Sequence, residues 1–74
     1  MAKLPVVGWK ETVRALKKAG FAVVRQRGSH VILKRQGYAF LVAVLCHPGD
    51  LATGTLRQIV SDSGLTVDEF AALL

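Results

Sequence analysis

The chain has 74 residues, 51% of them hydrophobic, and its ten Lys and Arg against five Asp and Glu leave a net charge of +5. That length supports one domain, residues 1–74, with a single core. The apolar fraction excludes a disordered tail, and the longest apolar run, Tyr38 to Cys46, falls short of the ~18 residues of a membrane span.

The opening MAKLPVVGWK has no long apolar stretch followed by a small-residue cleavage site, so no secretory signal is expected. A lone cysteine, Cys46, permits no internal disulfide, and a soluble protein of the reducing cytoplasm is the expectation. Residues 8–20, GWKETVRALKKAG, predict an amphipathic helix. Trp9, Val13, Leu16 and Gly20 fall on one stripe, while Lys10, Arg14, Lys17 and Lys18 lie on another face. Gly20 is a natural stop, and the two lysines before it suit the negative end of the helix dipole.

Phe21–Gln26 and Ser29–Lys34, separated by Arg27-Gly28, read as a hairpin, and Tyr38–Cys46 as a third strand after a turn at Gly37. Alternation along the second strand puts Ser29, Val31 and Leu33 on an inner face and His30, Ile32 and Lys34 on an outer one. Pro48-Gly49 marks a loop over 47–54. Thr55–Ser63 reads as a helix with Leu56, Ile59 and Val60 apolar, ended by Gly64. Thr66-Val67-Asp68-Glu69 has capping-box spacing and opens a short last helix that buries Phe70 and Leu73, with Leu74 a third candidate. The order is α-β-β-β-α with a short C-terminal helix, an α+β fold. Two helices can cover only one face of a three-stranded antiparallel sheet, so the other stays open. This is the layout of the double-stranded-RNA-binding fold, although layout alone does not fix function.

Charge is unevenly placed. Residues 1–35 hold nine of the ten Lys and Arg and one acid, Glu11, whereas residues 36–74 hold Arg57 against Asp50, Asp62, Asp68 and Glu69. A basic half on so small a domain is the footprint of a polyanion-binding surface; a general solubilising bias is the plain alternative. Within VVRQRGSHVILKR the cations Arg25, Arg27 and Lys34 surround a Gly28-Ser29-His30 step. Cutting RNA without a metal requires taking a proton from a 2′-OH, returning one to the leaving 5′-oxygen and stabilising charge on phosphorus. Histidine with neighbouring cations offers those ingredients, but on the residues alone His30 reads first as a surface histidine on a strand, or as one packing its ring beside Ile32. Gly28 supplies a turn and could admit a phosphate close to the main chain. His47 is a second proton-transfer candidate or simply a loop histidine. Cys46, His47, Asp50 and His30 show no recognised ligand spacing, so neither a metal nor another cofactor is expected.

These segments together resemble the HicA, or YcfA-like, family of toxins from toxin–antitoxin pairs. The likeness is carried by LPVVGWKETVRALKKAGF, RQRGSHVILK, a histidine after the third strand, and GTLRQIV followed by GLTVDEFAALL. It implies an mRNA interferase, a small endoribonuclease working on a double-stranded-RNA-binding-like fold, with His30 as the catalytic histidine. The RNA would be held by Lys10, Arg14, Lys17, Lys18, Arg25, Arg27, Gly28, Ser29 and Lys34. It also implies a HicB-like antitoxin partner that covers the active face. The chain departs from the family at Leu45, where a proline is common, and at Ala52-Thr53, where lysine and proline often precede the Gly-Thr-Leu step. A non-catalytic RNA-binding module of the same fold is the alternative, and antitoxin binding alone is a third reading.

Overall fold

A computed structural model describes residues 3–74. Its elements run α1 (Trp9–Lys18), β1 (Ala22–Arg27), β2 (His30–Lys34), β3 (Val42–Leu45), α2 (Thr53–Asp62) and α3 (Val67–Ala72). The strands form one antiparallel sheet in the order β1-β2-β3. The α+β order expected from the sequence is therefore present. Among the described residues no helix is long and apolar enough to cross a membrane.

α1 ends at Gly20 by a Schellman arrangement. The Gly20 N–H donates to the Lys17 carbonyl and the Phe21 N–H to the Leu16 carbonyl, each at 3.0 Å. Phe21 and Leu16, brought together by that closure, are both buried. The apolar stripe sits slightly differently from the one read off the sequence. Thr12, Val13, Ala15 and Leu16 are the buried positions of α1, and Trp9 is only half-buried. Thr12 can go inside because its hydroxyl donates to the Gly8 carbonyl at 2.9 Å, so no polar atom is left without a partner. Ala15, with its small side chain, lets the helix approach the sheet.

Val31 and Leu33 on β2, with Val42 and Val44 on β3, make the inner face of the sheet, and all four are buried. Both α1 and α2 pack over β3. Leu16, Leu56, Ile59, Val60 and Phe70 complete the core from the helix side. β1 lies at the far edge, and all six of its residues are exposed.

The third strand is shorter than the expected Tyr38–Cys46. Pairing with β2 stops at Leu33↔Val42, so residues 38–41 have no ladder partner there. Tyr38 is used differently. Its ring meets Phe21 edge-on at 5.9 Å, and its hydroxyl donates to the Asp62 carbonyl at 2.7 Å, joining this loop to the end of α2. Arg35 lies over both rings, 5.1 Å from Phe21 and 4.8 Å from Tyr38. α2 begins at Thr53, two residues before the expected start, because the Leu56 N–H already finds the Ala52 carbonyl at 2.9 Å.

The capping box opening α3 is present in both halves. The Glu69 N–H donates to Thr66 Oγ1 at 3.1 Å, and the Thr66 N–H donates to Glu69 Oε1 at 2.9 Å. The Thr66 backbone N–H first, and the Thr66 hydroxyl second, hold the Glu69 carboxyl below its ordinary value of 4.5. Replacing Thr66 by Ala should cost about 1 kcal/mol. Because the folded-state value is depressed, the Glu69 contribution is complete above pH 4.5 and is lost as pH falls through the lower folded value. Thermal melts of Glu69→Gln should therefore show a smaller drop between neutral and acid pH than the wild type; identical drops would remove this linkage.

Gly64, after α2, has φ +77°, and a Cβ there would lie 2.9 Å from the Tyr38 hydroxyl oxygen. Gly64→Ala combines a left-handed backbone with displacement of a hydrogen-bonded ring, and an equilibrium melt should report a loss of about 2–3 kcal/mol. A loss of only about 1 kcal/mol, the cost of the left-handed backbone by itself, would mean that the Tyr38 link carries no stability.

Candidate nucleic-acid interface

His30 opens β2, directly beyond the Gly28-Ser29 loop of the first hairpin, and pairs across to Arg27 on β1. Gly28 sits at φ +56°, while no residue other than glycine has a positive φ among the described residues. Positive φ at the first loop position alone is the pattern of a type II′ turn, which asks for glycine there. Nothing lies within 4 Å of a Cβ built on Gly28, so the outer surface of the turn is open. Ser29 is exposed, and its carbonyl accepts from the Cys46 N–H at 2.6 Å, tying the turn to the end of β3.

Register decides what shares a face with His30. Directly paired residues of antiparallel strands point the same way. The core takes Val31 and Leu33, so His30, Ile32 and Lys34 point away from the helices. With them on the open face are Arg27 and Arg25 from β1, opposite His30 and Ile32 respectively. Leu45 and Ala43 from β3 stand opposite the same two residues. His30 is exposed, flanked by Arg27 on one side and Leu45 on the other.

β1 carries an irregularity that the sequence did not announce. Val23 pairs with Leu33 and Arg25 with Ile32, leaving Val24 as an extra residue in a bulge. A bulge re-aims side chains. Val24 here lines a groove of about 480 Å³ together with Arg25, Arg27, Ile32, Lys34 and Leu41. None of these lining residues is acidic.

The expected RNA-contacting residues divide between two surfaces. Arg25, Arg27 and Lys34 lie with His30 on the open face, and Gly28 and Ser29 form the turn at its end. Lys10, Arg14, Lys17 and Lys18 are exposed on α1, in the layer that covers the opposite face of the sheet. Lys10 places its Nζ 5.7 Å from the centre of the Trp9 ring. Trp9, Lys10, Val13, Arg14 and Lys17 border a shallow depression of about 340 Å³ along the helix. Charge counting along the chain merges these two surfaces; only the packing of α1 separates them.

His47 is exposed, and its Nδ1–H donates to the Pro48 carbonyl at 2.9 Å. It borders a different depression, with Leu45, Asp50, Leu51, Ala52 and Thr55. Leu45, opposite His30, is the residue that adjoins both histidines. Among the described residues no three His, Cys, Asp or Glu side chains gather as a metal site would require. The residues that sequence reasoning left out are Val24 and Leu41. Val24 is placed by the bulge in β1 and Leu41 by a segment outside the ladder, and neither leaves a signal in the local sequence pattern.

A family described as the HicA toxin of bacterial toxin–antitoxin systems matches residues 9–65, from the start of α1 through the sheet to the residue after Gly64. No curated protein matches the chain. The match takes in His30, the open face and every cation discussed above, and covers well over half the sequence. On that ground the chain belongs to the HicA toxin family of bacterial toxin–antitoxin systems.

Proposed function

We propose that residues 1–74 act as one domain, the toxin of a HicAB-type pair, and that it is a metal-independent endoribonuclease of the cytoplasm cutting mRNA at His30. The observation that carries this reading is the setting of His30, exposed on the open face beside Arg27, with Arg25 and Lys34 farther along it. In the proposed reaction His30 removes the proton from a ribose 2′-OH. The 2′-oxygen attacks phosphorus, the bond from phosphorus to the 5′-oxygen breaks to leave a 2′,3′-cyclic phosphate, and the 5′-oxygen takes up the proton that His30, now acting as acid, returns. Guanidinium groups beside the phosphate stabilise the charge that builds on its oxygens. Membership of a toxin family supports an antitoxin partner; a HicB-like protein covering the open face would stop cleavage by excluding RNA from His30.

General acid–base catalysis contributes typically ~10²–10⁴-fold in rate, so His30→Ala should lower cleavage by that factor while melting at the wild-type temperature. The assay is incubation of purified protein with labelled mRNA in EDTA, resolved on a gel. Cleavage by His30→Ala at the wild-type rate would end the catalytic assignment. Binding of RNA with no cutting by either protein would leave an RNA-binding module of the same fold.

The separation of the cations into two surfaces makes a second prediction. Arg25→Gln and Arg27→Gln should each reduce the slope of log affinity against log salt by about 0.7–1 and also slow cleavage at saturating RNA. Lys17→Gln should weaken binding alone. An equal loss of saturating rate in Lys17→Gln would show that the helix cations also serve the reacting phosphate.

A further inference from the structure

The groove beside His30 has a feature that cleavage chemistry does not require. Val24 and Leu41, 55% and 56% exposed, line this groove with half-buried Ile32, three apolar residues that would serve as its floor beside Arg25, Arg27 and Lys34. Apolar side chains scattered singly over a surface are ordinary, whereas several converging on one concavity mark a binding site. The bulge in β1 is what brings Val24 there. Strict alternation from Arg25 would have turned Val24 toward the helices. At about 480 Å³ the groove is within the range of roughly 300–1,000 Å³ common to small-ligand sites.

We propose that this groove is a nucleobase subsite, in which an unpaired base of single-stranded RNA lies on Val24, Ile32 and Leu41 while flanking phosphates meet Arg25, Arg27 and Lys34. The proposal rests on the reading that the open face engages RNA, and it adds the class of RNA. A base presents an apolar face and is always attached to an anionic backbone, which matches an apolar floor with a cationic, acid-free rim. An apolar peptide would find the floor but not a use for the rim. Ile32 lies two residues from His30, roughly 7 Å along the strand, so the seated base belongs to a nucleotide adjoining the one at His30. Bases inside a duplex are stacked and paired, and cannot reach such a floor.

The test is equilibrium binding by fluorescence anisotropy, using the full chain and a short 2′-O-methyl oligoribonucleotide, whose blocked 2′-oxygen prevents cleavage. Inorganic polyphosphate of similar length serves as the polyanion without bases. Val24→Ser/Leu41→Ser should bind the oligonucleotide roughly tenfold more weakly than the wild type and bind polyphosphate equally well. An arm that needs no variant uses the wild type with an abasic oligonucleotide of the same length, for which a similar loss is expected. Unchanged affinity of the folded double variant for the oligonucleotide, or an equal loss on polyphosphate, overturns the subsite, as does equal wild-type binding of abasic and complete strands. Loss of antitoxin binding with RNA binding intact would assign the floor to a protein interface and also overturn it. The catalytic reading stands or falls separately: base-dependent binding without any cutting keeps the subsite and removes the nuclease, and cutting indifferent to the double variant does the reverse.

Discussion

The period of two along β2 is the constraint from which the rest of this molecule follows. One strand of five residues supplies core and site together, because its side chains must alternate between faces. Val31 and Leu33 are held under the helices, and that burial fixes where His30, Ile32 and Lys34 point. A slip of one residue in register would bury the histidine and a lysine and expose the two core residues, so the hydrophobic core itself enforces the orientation of His30. β2 is also the central strand, flanked by β1 and β3, which puts Arg27 and Leu45 on either side of the histidine without any dedicated loop.

Size imposes the second limit. The described helices are few and short, ten, ten and six residues long. Both α1 and α2 settle on β3, leaving one whole face of the sheet and all of β1 in solvent. The open face thus follows from both helices settling on the same side of the sheet. Ties elsewhere compensate for the small core: the Tyr38 hydroxyl joined to the end of α2, Arg35 laid across two aromatic rings, and Thr12 bonded back to Gly8.

What was legible in the sequence is what depends on local pattern. The capping box at Thr66 and Glu69, the stop at Gly20 and the alternation from His30 to Lys34 each arise from a few neighbouring residues and are present as read. Ser29, expected on the inner face, is instead exposed in the turn before β2. The features that escaped depend on partners distant in sequence. The apolar run from Tyr38 looks like strand throughout, yet its first residues have no backbone to pair with, and Tyr38 is claimed by Phe21 and Asp62. Thr12 looks polar until the Gly8 carbonyl is placed beneath it. The cations of α1 and those of the hairpin look like one patch until helix packing assigns them to different layers. For the site, His30 and its cationic neighbours were readable from one short segment, whereas the groove was not, since it needs both the extra residue in β1 and the unpaired Leu41.

The same extra residue bears on how the protein behaves at high concentration. A sheet edge with free backbone donors and acceptors is a template on which another chain can add a strand, the first step toward aggregates. β1 is such an edge, exposed along all six residues and carrying two adjacent valines. The irregularity at Val24 breaks the even spacing that an incoming strand would have to match, and Arg25 and Arg27 set positive charge along the same margin. Straightening the strand to tidy the fold would therefore remove a guard against self-association.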